Sequence, residues 1–181
     1  MKKVSKALAL LLFAFLPAFN AVAQDNPWYQ RREIVELNDS NDNLMYEVFA
    51  MDHDGGSTYY ADLGTMGFGD HNVQIMLDPL FRLFIKLGDN LDEAIATMEQ
   101  LVDQVKAAKG TTIEMPGYFS VGIPNTEPEM VTIITRKPFL SRYLECSLER
   151  EGYLRVATVH KSDLKSLLFS LKTYRKFHPK E

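Results

Sequence analysis

Leu91, Ala94, Ile95, Met98, Leu101, Val102 and Val105 recur at the three- and four-residue spacings that place them on one stripe of an α-helix. Asn90 stands where a helix N-cap belongs, and Glu93 follows three residues later in a capping-box arrangement. Gly110 is placed to close the helix in a left-handed conformation, with Lys106 and Lys109 near its end. A helix with one apolar stripe must bury that stripe against something else. The surrounding sequence supplies strands, so the partner is a sheet.

A second stripe, Leu164, Leu167, Leu168, Leu171 and Tyr174, marks another helix near the C-terminus. Ser162 or Asp163 is its expected cap, and Lys172, Arg175, Lys176 and His178 gather at its far end, where the helix dipole favours cations. Strands are expected at 28–37, 44–51, 57–63, 72–77, 81–87, 118–123, 130–137, 142–149 and 153–160, with a turn at Asp78-Pro79. For the last hairpin, a three-residue loop with Gly152 left-handed sets Leu148 opposite Leu154, Cys146 opposite Val156, and Leu144 opposite Thr158. Arg142 then faces His160. The fold class is α+β: an antiparallel sheet of about seven to nine strands carrying two amphipathic helices.

Aligning Leu91 with Leu164, an offset of 73, also matches Ile95 with Leu168, Met98 with Leu171, Phe81 with Leu154 and Leu83 with Val156. The pattern reads as strands then helix, twice. That order resembles the tandem folds of the PUR or Whirly type in topology alone. No motif carries the likeness, and nucleic-acid binding does not follow from it.

The first 23 residues have the layout of a secretory signal. Lys2, Lys3 and Lys6 precede the apolar run Ala7 to Leu16, Pro17 breaks it, and Ala21-Val22-Ala23 offers a cleavage site. The apolar run is shorter than the roughly 20 residues that span a bilayer. The expectation is therefore an exported chain, periplasmic or secreted, in which 24–181 forms a single domain. The mature chain has no transmembrane segment in this reading. Cys146 is the single cysteine, so no intramolecular disulfide can form, and the hairpin register puts it in the core as a small hydrophobe.

Charge is uneven. Gln24–Thr135 carries 6 basic and 19 acidic residues, whereas Arg136–Glu181 carries 11 basic and 5 acidic. Overall acidity and export both speak against nucleic acid as a partner.

Few residues point to chemistry. Asp52, His53 and Asp54 imitate the start of a calcium loop before Gly56, but no acid completes it, and Asp and Gly are ordinary turn residues. Asp70 and His71 lie beyond the opposite end of the strand 57–63 and cannot join His53 on one ion. Arg142, His160 and Lys161 gather at the open end of the last hairpin and could hold an anion or a ligand carboxylate. Trp28, Tyr29, Tyr59, Tyr60, Tyr118 and Phe119 offer aromatic surface for a sugar or peptide, or core. Gly64, Gly67 and Gly69 lack the Lys-Ser/Thr pair of a phosphate loop. No catalytic motif and no cofactor motif is present. The leading expectation is an exported, non-catalytic binding or interaction domain for an unknown protein or small polar ligand. The alternatives are a small exported enzyme with an Asp/His site and a structural component of an envelope assembly.

Overall fold

A computed structural model describes residues 30–69, 76–124, 126–150 and 153–179. The signal-like segment, Trp28, Tyr29, Asp70 and His71 lie outside them. Ten elements follow in order: β1 (Gln30–Asn38), β2 (Leu44–His53), β3 (Gly56–Gly69), β4 (Met76–Gly88), α1 (Leu91–Gln104), β5 (Thr112–Ser120), β6 (Glu129–Arg136), β7 (Tyr143–Arg150), β8 (Tyr153–His160) and α2 (Lys161–Phe177). Four strands and a helix thus occur twice. The eight strands form one antiparallel sheet in chain order, as expected of the fold class. Beyond Asp62, β3 turns to β8, pairing Gly67 with Val156 and Gly69 with Leu154. Strands β3–β8 therefore close into a ring, and β1–β2 continue the sheet from the first half of β3.

One face of the sheet packs on both helices. Val48, Ala61, Leu63, Leu83, Ile85, Ile133, Leu144, Cys146 and Val159 meet Leu91, Met98, Leu101, Leu164, Leu167 and Leu171 in a single apolar core. Burying each of these larger aliphatic side chains favours folding by about 1.5–3 kcal/mol. Cys146 sits in that core as expected, and burial pushes its thiol pKa up to about 12, leaving it protonated and unreactive. The helices are also tied by charge. Arg175 grips Asp92 with two hydrogen bonds of 2.9 and 3.0 Å, and Lys172 meets Glu99 at 2.5 Å. Part of the acidic–basic asymmetry along the chain is thus an internal complement, satisfied by folding.

Local chemistry sets the element ends. Asn90 accepts a hydrogen bond from the Glu93 amide (2.9 Å), while the Glu93 carboxylate reaches back to the amide of Asp89 (2.8 Å). The chain enters this cap through Gly88 at φ +151°, where an added Cβ would stand 2.4 Å from that of Glu93.

Four local expectations are corrected. No turn interrupts the chain at Asp78-Pro79. β4 runs through it, and Pro79, with no N–H to donate, falls in the irregularity between the pairs Met66–Asp78 and Thr65–Arg82. Gly110 is left-handed (φ +86°) but does not close α1, which ends at Gln104. Its amide instead binds the Thr135 carbonyl at 2.9 Å and starts β5. α2 begins directly where β8 ends, with His160 at the cap position and no side-chain cap bond, while Ser162 and Asp163 fall in the first turn. In the last hairpin Leu148 faces Arg155, Cys146 faces Ala157, Leu144 faces Val159, and Tyr143, not Arg142, faces His160. With Arg150 paired to Tyr153, two residues and not three connect the strands. The shift brings Ala157 and Val159 into the core in place of Val156 and Thr158. It also carries Arg155 to that face, where its guanidinium reaches the Phe119 carbonyl at 3.4 Å.

The internal echo holds in the helices and fails in the strands. Leu91 and Leu164 are both fully buried, as are Met98 and Leu171. Leu83 is in the core, whereas its counterpart Val156 faces away. The reason is that Asp89 and Asn90 separate β4 from α1, and nothing separates β8 from α2.

Candidate functional site

Alternation along the strands gives a second face on which, among the described residues, no helix packs. Tyr59 and Phe119 turn to the core, and their neighbours Tyr60 and Tyr118 turn the other way. On this open face Phe49, Tyr60, Phe84 and Tyr118 form an aromatic cluster across β2–β5. Phe49 stacks with Tyr60 at 5.7 Å and meets Phe84 edge-on at 6.0 Å, while Tyr60 lies 6.3 Å from Tyr118. These are separations at which aromatic pairs attract beyond simple burial. The Arg31 guanidinium sits 4.2 Å above the Phe49 ring.

One end of the cluster opens into a hollow of about 750 Å³. Met51, Tyr60 and Tyr118 form its floor, and Ile123, Pro124 and Pro128 its outer wall. The Tyr118 hydroxyl donates to the Thr126 carbonyl at 2.8 Å and so anchors that wall.

The opposite rim is polar. His53 accepts from the Gly55 amide through Nδ1 (3.2 Å), which leaves its proton on Nε2, 3.4 Å from the Thr58 hydroxyl. Thr58 in turn donates to Asp89 at 2.9 Å, and Lys86 pairs with the same carboxylate at 3.0 Å. Burial acts to raise the Asp89 pKa, but bonds from Lys86 and Thr58 and the charge of Lys86 outweigh it and hold it below its ordinary value. The Thr58 proton is committed to a carboxylate, and His53 presents N–H to the hydroxyl oxygen. That polarity is the reverse of a base activating a nucleophile.

Asp52, His53 and Asp54, which only imitate the start of a calcium loop, are separated by the pleat. Asp52 lies on the helix side, held by Arg32 at 2.9 and 3.1 Å and by the Ser57 hydroxyl at 2.5 Å. Bonds from Arg32 hold its pKa down against partial burial. His53 lines the hollow, and Asp54 is exposed in the turn. Arg142, His160 and Lys161 do meet, around a second hollow of about 350 Å³ that includes Leu140 and Ser162. One amino group of Arg142 is taken up by the Lys106 and Ala107 carbonyls (2.5 and 3.4 Å), and the His160 ring lies 5.8 Å from Tyr143.

Two features carry no sequence signal. Lys86, Thr58 and Asp89 join His53 only because β2, β3 and β4 lie side by side. Glu33, Glu36 and Glu47 also converge, with one carboxylate oxygen of each within 4.8 Å of the others. A register shift between Glu33 and Val35 in β1 causes this. Without the extra residue, positions three apart would point to opposite faces. Glu47 is 1 % exposed, and its pKa is raised by burial, which outweighs the opposing effect of the bond from Arg31. Asp62, on the same face, is held by Arg82 at 2.5 Å and by the Gly64 amide at 2.9 Å.

No protein-family model, curated protein or solved structure matches the chain. Among the described residues, no helix is long and apolar enough to cross a membrane.

Proposed function

We propose that the chain is exported and serves as a non-catalytic binding domain, seating a small ligand in the hollow on the open face of the sheet. The observation that carries this reading is the hollow's composition: an aromatic floor opposite a rim of His53, Thr58 and Lys86. Its volume is within the roughly 300–1,000 Å³ usual for small-molecule sites. An apolar floor with hydrogen-bonding groups on one side suits a compact molecule with a flat apolar face and polar edges, such as a sugar ring or an aromatic acid. The basic n-region, apolar run and Ala21-Val22-Ala23 support export.

The test is thermal unfolding of the protein collected after export, against a panel of monosaccharides, disaccharides and aromatic carboxylic acids. A ligand at 100 times its Kd stabilises by about 2.7 kcal/mol. For a domain of this size the midpoint should rise by several degrees, about 5 °C or more. The shift should vanish in Thr58→Val, which removes a rim hydroxyl and leaves the floor. A flat panel sinks the small-ligand reading. Mass spectrometry of the same sample tests export, which requires a new N-terminus near Gln24.

A further inference from the structure

Glu36 stands directly opposite Glu47 in the β1–β2 ladder. Like charges in that position destabilise a sheet. Here the cost is aggravated, because Glu47 is 1 % exposed and Glu33 is brought to the same point by the extra residue in β1. Arg31 neutralises one of the three charges. It donates to Glu47 Oε2. The other oxygen, Oε1, is buried with no hydrogen-bond partner. A carboxylate oxygen removed from water and left unpaired is expensive. Three carboxylates and one guanidinium leave two negative charges at one spot.

We propose that Glu33, Glu36 and Glu47 bind a single calcium ion on the open face, where β1 meets β2. The donor set is all oxygen and anionic, which selects a hard divalent cation. Two oxygens bound to one Ca²⁺ at about 2.4 Å can stand up to about 4.8 Å apart. The three carboxylates satisfy that limit, at 4.8 Å or less. Mg²⁺ demands near-ideal octahedral geometry and keeps most of its waters, which three side chains carried on two strands suit less well than the flexible shell of Ca²⁺. Glu33 and Glu36 are exposed, so water can complete the shell, whereas Glu47 contributes from beneath. The ion neutralises the two remaining charges, gives the buried Glu47 carboxylate a second partner beside Arg31, and fastens the edge strand β1 to the sheet. The site shares no residue with the hollow of the proposed function and stands or falls independently of it.

The exported protein, stripped with a chelator and dialysed, is titrated with CaCl₂ by calorimetry and followed by thermal unfolding. One ion per chain is expected, with a rise of several degrees in the midpoint. Glu36→Gln should abolish both responses while leaving the metal-free midpoint equal to or above that of the wild type, because it removes the repulsion as well as the ligand. Should that variant fail to fold, Glu33→Gln, at an exposed position, supplies the same readout. Absence of heat and of a shift up to about 5 mM CaCl₂, above the usual affinity range of extracellular calcium modules, overturns the proposal. A response that persists in Glu36→Gln or Glu33→Gln, or one larger for MgCl₂ than for CaCl₂, overturns it as well.

Discussion

The two faces of the sheet obey different rules. On the helix side, mostly aliphatic residues from all eight strands and both helices make one apolar core, and polar groups such as Gln104 and Thr135 are bonded to each other and to backbone (3.2 and 2.6 Å). On the open face the buried cluster is built on four aromatic rings, and charge is interleaved with it: Arg31 and Glu47 beside Phe49, Asp62 and Arg82 beside Phe84. A helix layer excludes water without discrimination, so that side can use side chains chosen for volume. The open face must shield itself. Flat rings, cationic stems laid over them, and ion pairs accomplish this while leaving polar atoms within reach of a ligand.

The sharpest way to break this contrast is to damage each face separately. Leu164→Ala on α2 removes a fully buried side chain and should destabilise by about 2–5 kcal/mol, read by urea unfolding. Its effect on ligand affinity, measured well below the unfolding midpoint, should be small. Thr58→Val should do the reverse, with a stability change of about 1 kcal/mol or less and loss of binding. If Leu164→Ala weakened binding as much as Thr58→Val, the faces would be coupled and the contrast would be wrong.

The same division shows what could be seen in the sequence. The helix-side core was legible because helical stripes and strand alternation are local: Leu91 to Val105 and Leu164 to Tyr174 declare themselves within a few turns. The placement of Cys146 was legible for the same reason. The open-face site was not. Tyr60 was readable as half of an aromatic pair, but which of Tyr59 and Tyr60 faces the helices depends on strand parity. Glu33 and Glu36 converge only through a shift of register that β-pairing creates. The last hairpin slipped by one residue because loop length, two against three, decides parity for the whole of β8. Arg142, His160 and Lys161 came together regardless, since a slip of one residue does not move the end of a hairpin far.

Two adjacent arginines give a smaller and more discriminating test. Arg31 and Arg32 point to opposite faces and each holds one acid of β2. Asp52, paired with Arg32, remains about one-third exposed (32 %), and pairing wins: its pKa falls. Glu47, paired with Arg31, is buried among Glu33, Glu36 and Asp62, and burial wins: its pKa rises. The signs of linkage are opposite. Asp52 stabilises above its unfolded pKa of about 3.9, and that contribution is lost as pH falls through its lower folded value. Glu47 binds its proton more tightly in the folded state, so its charged form weakens folding near neutrality and relief comes as pH falls through the raised value. With chelator present at pH 7, Asp52→Asn should destabilise by up to about 1 kcal/mol. Glu47→Gln should be neutral or stabilising, by up to about 1 kcal/mol, with its advantage over the wild type shrinking as pH is lowered. Urea unfolding at several pH values measures both. Destabilisation by Glu47→Gln would mean that the open face gains from its buried charge, as the helix-side edge gains from Asp52.

The smallest expected effect belongs to a residue on neither face. Phe139, in the β6–β7 connection, is left-handed at φ +46° and fully exposed. Asp42 is also left-handed (φ +64°), but its amide binds the Asp39 carbonyl at 3.1 Å and its carboxylate accepts from Asn38 at 3.0 Å, so the turn rewards the conformation. An exposed aromatic ring earns no such return. Left-handed backbone costs an L-residue about 1–2 kcal/mol. Glycine escapes that cost but gives back about 0.4–1 kcal/mol through the greater freedom of its unfolded chain. Phe139→Gly should therefore stabilise by about 0.5 kcal/mol, a rise of roughly 1–2 °C in Tm. Asp42→Gly should destabilise slightly, since it loses the Asn38 bond. If Phe139→Gly instead lowered Tm, the ring would be making contacts that neither face supplies, and the division of this molecule into two faces would need a third surface.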